Sequence, residues 1–264
     1  MQELAVMLAH DWHEGPADAP VLVLLHGWGL HGGVWRNFLP LLTHDFRVLC
    51  IDLPGFGKSS SQAVRSVSQT VDALRDIAPT KAIWLGWSLG GLLALALAER
   101  HPERVQALVL LAATPCFVQR ADWLTAMDAD VFQQFRMTVE ADAGTALAHF
   151  LALQCRGSVS MKDDLRFLKS VVQEAAFPAK ETLLASLDWL QETDARQQLG
   201  SLKIPVDFLL GESDALVPAA LADGIPPAFS GAVIEGAAHL PFVSHPVQSA
   251  ARIKDFCRLA GVLA

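Results

Sequence analysis

The chain has 264 residues, enough for one large domain or for a domain carrying a sizeable insertion. Apolar residues make up 52% and charged residues 18%, a balance that describes a folded protein with a large core and excludes a disordered chain. The net charge of −8 argues against nucleic acid as the main partner, and no apolar run is long enough to span a bilayer before charges or glycines break it.

The N-terminal stretch MQELAVMLAHDWHEG is too poor in apolar residues and too acidic for a signal peptide. Four cysteines (Cys50, Cys116, Cys155 and Cys257) lie far apart, with no CxxC pair and no zinc-ligand spacing. They are expected as buried free thiols in a cytoplasmic protein, and no metal or cofactor is expected. The segments PVLVLLHG (20–27), FRVLCIDLPG (46–55), KAIWLGWS (81–88) and VQALVLLAAT (105–114) read as strands buried on both faces, since their apolar character is nearly continuous. VDFLLGESD (206–214) and GAVIEGAAH (231–239) repeat that pattern, and PVQSAARIKDFCRLAGVL reads as a final helix opened by Pro246. Between Thr114 and Lys203 strand-like runs vanish, and stretches such as DDLRFLKSVVQEAAF carry helical spacing. The expected organisation is an α/β core in residues 1–115 and 195–264, with a mostly parallel sheet flanked by helices, and a helical lid inserted as residues 116–194.

Two motifs mislead. Gly27, Gly29 and Gly32 have GxGxxG spacing after a strand, and Asp52 ends the next strand where a ribose-binding acid would sit. Against a dinucleotide site, Asp52 runs straight into a tight turn and Pro40 interrupts the first helix. GFGKSS ends like a phosphate-binding loop, but position 52 is aspartate where that loop needs glycine.

GWSLG (86–90) fits GxSxG between a strand and the helical run LGGLLALALAERH. A serine on so sharp a strand-to-helix turn is held in a strained conformation that lifts its hydroxyl above the sheet edge. The backbone two residues before and after comes close there, so a side chain at position 86 or 90 would collide. An ordinary helix N-cap explains the serine but not both glycines. A nucleophilic Ser88 needs an acid and a histidine, in that chain order. Asp214 and His239 each follow a predicted strand and fall at the same sheet edge. Glu212 and Asp207 compete for the acid role and His245 for the base, although His245 resembles a helix cap. His10, His13, His31, His44 and His101 are expected in loops or at helix ends. HGWG after the first long strand would supply a second oxyanion donor, the Trp28 N–H, beside the Leu89 N–H, with the Trp28 ring walling the acyl pocket.

Together HGWG, DLPGFGKS, GWSLGG, HPERVQALVLLA, SDALVP and AAHLPFVSHP resemble the α/β-hydrolase family. More narrowly, LLHGWGLHGGVWR, KAIWLGWSLGGL, HPERVQALV, PCF and FLALQ resemble the pimeloyl-[acyl-carrier protein] methyl ester esterases of biotin synthesis. That resemblance covers the core and thins within the insertion. It implies a serine carboxylesterase in which Ser88 is the nucleophile, Asp214 the acid, His239 the base, and Trp28 and Leu89 the oxyanion hole. It further implies substrate contacts from Trp28, Ser88, Leu89, His239 and the lid residues Phe150, Leu151, Ala152, Leu153 and Gln154; Phe150 as plain helix core is the alternative. The implied partner is an acyl-carrier protein bearing the methyl-pimeloyl chain; the 264-residue chain itself is expected as a monomer. Lys162, Arg166 and Lys169 share one helix face, with Arg156 upstream, and would dock that acidic partner. A solvated face is the other reading, since Asp163 and Asp164 sit among them. The helix before FLALQ reads EADAGTALAH, where the family pattern carries basic residues, so the docking surface is reduced or differently placed. A carboxylesterase without a carrier partner, a carbon–carbon bond hydrolase and a non-catalytic receptor are the competing functions.

Overall fold

A computed structural model describes residues 8–264; the first seven residues of the stretch weighed against a signal peptide lie outside the described residues. Seven strands form one sheet in the order β1-β3-β2-β4-β5-β6-β7, comprising β1 (His10–His13), β2 (Val21–Leu25), β3 (Arg47–Ile51), β4 (Ala82–Trp87), β5 (Val105–Leu111), β6 (Val206–Gly211) and β7 (Ser230–Ile234). Only β1 runs antiparallel; every other pairing is parallel. Every residue of β2, β4 and β6 is buried, as their unbroken apolar runs require of strands covered on both faces.

Two features of the sheet depart from expectation. His10 and His13 lie on β1, not in a loop: HDWH has no apolar alternation because it is an exposed edge strand, held by its pairing with β3. The predicted strands also overrun their carboxyl ends, furthest at 231–239, where β7 stops at Ile234, and again at 20–27, where β2 stops at Leu25. His26, Trp28 and Leu30 beyond it are buried beneath other elements, so a loop there has the composition of a strand.

Ten helices accompany the sheet among the described residues: α1 (Leu39–Leu42), α2 (Val67–Ile77), α3 (Leu89–Arg100), α4 (Ala129–Ala141), α5 (Ala143–Cys155), α6 (Met161–Gln173), α7 (Lys180–Glu192), α8 (Arg196–Ser201), α9 (Pro241–Ser244) and α10 (Pro246–Leu259). Helix α3 is apolar nearly all round, which marks a helix buried on all sides, and it packs on β2, β4, β5 and α2. Helices α4–α8 lie between β5 and β6, and α4–α7 make up the expected insertion. Hydrogen bonds fasten this insertion to the core, among them one from the Val159 amide to the Gly236 carbonyl (3.1 Å) and one from Arg36 to the Ser170 hydroxyl. Trp28 Nε1 donates to the Leu183 carbonyl (3.0 Å), His31 Nε2 to that of Val171 (2.8 Å), Trp189 Nε1 to that of Arg65 (3.0 Å) and the His239 amide to that of Gln154 (3.1 Å). Arg36 adds an ion pair to Glu174 and stacks over Phe167 at 4.8 Å. All four cysteines are free and buried, and burial pushes the Cys155 and Cys257 thiols up to about 12. No helix among the described residues is long and apolar enough to cross a membrane.

Candidate active site

Ser88 sits between the end of β4 and the start of α3 with φ 54° and ψ −115°. A residue with a Cβ is strained at that φ, and the sharp turn persists only because its surroundings hold it. A Cβ on Gly86 would lie 2.2 Å from the Gly90 carbonyl oxygen, the expected collision across the turn. Gly90 is constrained from another quarter: its Cβ would lie 2.3 Å from the Leu25 carbonyl oxygen of β2. The N-cap alternative fails, because the Ser88 side chain accepts no hydrogen bond from the first turn of α3.

Asp214 and His239 meet in the loops after β6 and β7. The Asp214 Oδ2 to His239 Nδ1 distance is 2.7 Å, and both side chains are almost wholly buried. Asp214 Oδ1 accepts from the amides of Leu216 (2.8 Å) and Val217 (3.0 Å), which fixes the carboxylate plane. A carboxylate there only accepts, so the ring proton resides on Nδ1 and Nε2 is left bare. Nε2 is buried with no hydrogen-bond partner among the described residues. Trp87, the neighbour of Ser88, braces the histidine: its Nε1 donates to the His239 carbonyl at 2.8 Å, and the two rings lie 5.6 Å apart. The competing groups are engaged elsewhere. Glu212 accepts from the Gly236 amide, Asp207 is paired with Arg252 and Ser230, and His245 Nδ1 contacts the Ser244 hydroxyl at the head of α10.

Trp28 and Leu89 are both buried, and neither backbone N–H donates a hydrogen bond to any described residue. Buried amides without an acceptor are rare in folded proteins. Here two occur together, one beside Ser88 in sequence and one on a residue that lines the same cavity as Ser88. That cavity encloses about 430 Å³, counting its open side, and its walls are apolar. Core residues Trp28, Ser88 and Leu216 face Phe132 and Phe135 of α4, Phe150 and Leu153 of α5, and Leu187 and Leu190 of α7. The Trp28 ring meets Phe150 edge-to-face at 4.9 Å, and Phe135 stacks on Phe150 at 5.4 Å. Of the five FLALQ residues, Phe150 and Leu153 line the cavity, whereas Leu151, Ala152 and Gln154 do not. One helix presents only part of each turn to one side, so a run of five cannot all face it. Gln154 acts through its backbone, as the acceptor for the His239 amide.

Arg156, Lys162, Arg166 and Lys169 are all exposed. The two aspartates among them differ. Asp163 pairs with Arg166 at 2.7 Å, while Asp164 turns inward and is buried, accepting from the hydroxyls of Ser158 and Ser160. Arg156, Lys162 and Lys169 form no ion pair among the described residues, so the face keeps a positive excess.

Two groups gain roles that the motifs alone did not give them. Asp52 is no ribose ligand: its Oδ1 accepts from the Gly32 amide (2.6 Å) and its Oδ2 from the Lys58 amide (2.8 Å), tying two loops together. His26 was hidden at the end of an apolar strand, where the polar residue before HGWG's first glycine was the available signal. It is fully buried, accepting at Nε2 from the Leu53 amide (2.9 Å) with Nδ1 2.9 Å from the Gly27 carbonyl. Burial pushes its imidazole down from 6.5 to about 4; Asp52 and the Gly27 carbonyl oppose the fall and His31 adds to it. Between those values the unfolded chain binds a proton at this site that the folded one does not, so stability is full above pH 6.5 and declines as pH falls toward 4. His26 alone should cost about 3 kcal/mol across that window. Urea unfolding at stepped pH should show the wild-type slope flattened in His26→Asn; equal slopes in the two proteins would refute the assignment.

The alpha/beta hydrolase fold family matches residues 20–246 of this chain. The chain is 41% identical over 253 residues, 95% of its length and 98% of the other's, to a pimeloyl-[acyl-carrier protein] methyl ester esterase of Edwardsiella ictaluri. It is 42% identical over 238 residues, 89% of its length and 93% of the other's, to the protein of that name from Pectobacterium carotovorum. Among solved structures, an esterase from Exiguobacterium antarcticum superposes with a TM-score of 0.83 at 18% identity, covering 95% of each chain, a likeness of fold.

Proposed function

The chain belongs to the alpha/beta-hydrolase family and, within it, to the family of the pimeloyl-[acyl-carrier protein] methyl ester esterases, and from that premise we propose that it hydrolyses the methyl ester of a pimeloyl chain carried by an acyl-carrier protein. The observation that carries the reading is the buried Asp214–His239 pair, with Nε2 bare, at the sheet edge where strained Ser88 emerges.

The reaction is a two-step acyl transfer. His239 Nε2 takes the Ser88 proton as Oγ attacks the ester carbonyl, and the oxyanion rests on the N–H groups of Trp28 and Leu89. The tetrahedral adduct collapses, and methanol leaves with the proton from His239. Water then attacks the acyl-enzyme, giving its proton to the same histidine, which returns it to Ser88 as the free ω-carboxylate departs. Asp214 keeps the proton on Nδ1 and stabilises the imidazolium. The apolar cavity supports a medium acyl chain, since burying five methylenes contributes about 4 kcal/mol. It also lacks the charged or amide group that a carbon–carbon bond hydrolase would use to hold a keto acid.

The positive face of α6 supports the carrier protein as partner, with Arg156, Lys162, Arg166 and Lys169 as its dock. The helix before it, Ala143–Cys155, carries no lysine or arginine, so the dock is confined to Arg156 and α6. The test compares kcat/KM for methyl pimeloyl-carrier protein and for dimethyl pimelate, in wild type and in Lys162→Glu/Lys169→Glu. The double variant should lose about tenfold on the carrier-bound ester, given typical charge-pair contributions, and nothing on the free diester. Raised salt should narrow the difference. Equal rates on both substrates would leave an esterase that needs no carrier.

A further inference from the structure

We propose that His26 is a positioning residue for the Trp28 oxyanion donor, acting through the peptide unit that joins Gly27 to Trp28. The inference rests on the reading of Ser88, Trp28 and Leu89 given above. The Gly27 carbonyl and the Trp28 N–H belong to one planar unit, and no described peptide bond is cis. In a trans unit the two groups point in opposite directions, so whatever fixes the carbonyl also aims the N–H.

His26 Nδ1 is the only donor that reaches the Gly27 carbonyl among the described residues, at 2.9 Å. Its tautomer is set from the other side. The Leu53 amide donates to Nε2, so Nε2 carries no hydrogen and Nδ1 must be the donor. Phe56 meets the ring edge-to-face at 5.6 Å and holds its plane. Leu53 follows Asp52, whose carboxylate anchors the same loop to Gly32 and Lys58. The imidazole is therefore a strut running from the loop after β3 to the loop after β2. Its far end turns the Trp28 N–H away from the Gly27 carbonyl's partner and leaves it unpartnered. The Trp28 indole is pinned separately by Leu183 of the insertion. Backbone and side chain of one residue are thus fixed by two independent hydrogen bonds. Preorganisation of this kind is what an oxyanion donor needs, because a donor that must swing into place costs free energy in the transition state.

A histidine that merely fills the core predicts different behaviour from one that aims a peptide, and two substitutions separate them. In His26→Asn the amide nitrogen takes the Nδ1 position and still donates to Gly27, while the bond from Leu53 is lost. In His26→Gln the amide reaches the Nε2 position and still accepts from Leu53, while the Gly27 carbonyl loses its donor. The measurements are kcat and KM on dimethyl pimelate and Ki for an alkyl trifluoromethyl ketone. Ser88 Oγ adds to the carbonyl carbon of that ketone, the Ser88 proton passes to His239, and the ketone oxygen becomes the anion held by the two N–H groups.

Glutamine should lower kcat and raise Ki about 10²-fold, the scale of a lost oxyanion donor, with KM little changed. Asparagine should rescue both to within about fivefold of wild type despite a lower unfolding midpoint. Retained kcat and Ki in the glutamine variant would overturn the proposal, as would equal losses in both variants with Ki unmoved. Should the glutamine protein not fold, the asparagine protein decides: loss of kcat without loss of ketone affinity overturns the inference, and retention of both supports it. Ser88→Ala, run alongside, separates the two levels. Activity surviving in that variant would sink the reading beneath, whereas an inert Ser88→Ala with an indifferent His26 would remove the strut alone.

Discussion

Replacing Ser88 with alanine should lower kcat on dimethyl pimelate by roughly 10⁶-fold, the scale found when the nucleophile of a serine hydrolase is removed. The size follows from the proposed mechanism, in which Ser88, His239 and Asp214 act as a unit. Without Oγ, His239 has no proton to take and no acyl-enzyme forms, so only the two N–H groups and the apolar cavity still act on the ester. Such remnants accelerate hydrolysis about 10³–10⁴-fold over water in related systems. Ser88→Gly should be equally inert, yet more stable. Glycine adopts φ 54° freely, so the strain of the elbow, of order 1 kcal/mol or more, is released. The informative pair is therefore kcat beside the urea midpoint: alanine inert with a near-native midpoint, glycine inert with a raised one. Activity surviving in either variant would remove Ser88 from the mechanism.

The sequence carried much of this site, for a physical reason. Where a residue type answers one steric or chemical demand, its spacing is readable. Gly86 and Gly90 flank Ser88 because backbone passes within a Cβ's reach of each, and the strand-then-acid, strand-then-histidine order places Asp214 and His239 at one edge. What stayed hidden depends on contacts between distant segments. β1 has no pattern of its own and exists as the partner of β3. His26 looks like a stray polar residue until Leu53, 27 positions away, is seen donating to it. Asp52 imitated a nucleotide ligand because a buried carboxylate after a strand has the same local sequence whether it binds a ribose or two backbone amides. The direction of Asp164 is likewise a matter of packing: periodicity put it among the cations of α6, and only the hydroxyls of Ser158 and Ser160 show that it faces inward. The helices of the insertion were legible as helices, but which FLALQ residues face the cavity depends on the roll of α5 against Trp28.

Asp214→Asn should lower kcat by about 10⁴-fold while leaving the fold intact, since that substitution keeps the geometry and reverses the proton. Asparagine has one accepting oxygen and one donating nitrogen where aspartate has two acceptors. The amides of Leu216 and Val217 both donate to Oδ1, so the side chain settles with its oxygen toward them. Its NH₂ then takes the place of Oδ2, 2.7 Å from His239 Nδ1. Two donors cannot face each other at that distance, and the imidazole answers by moving its proton to Nε2. The nitrogen that should receive the Ser88 proton is then already occupied. The opposite amide orientation restores Nδ1 but sets an NH₂ against two backbone N–H groups, a conflict twice as large. KM for dimethyl pimelate should change little, because Asp214 does not line the cavity that holds the chain. Glu212→Gln is the matched control: among the described residues its carboxylate serves only the Gly236 amide, so its kcat should stay within about twofold of wild type, as for a surface group outside a catalytic unit. Comparable losses in the two variants would mean that the acid of this site had been misassigned, and a loss confined to Asp214→Asn would fix it there.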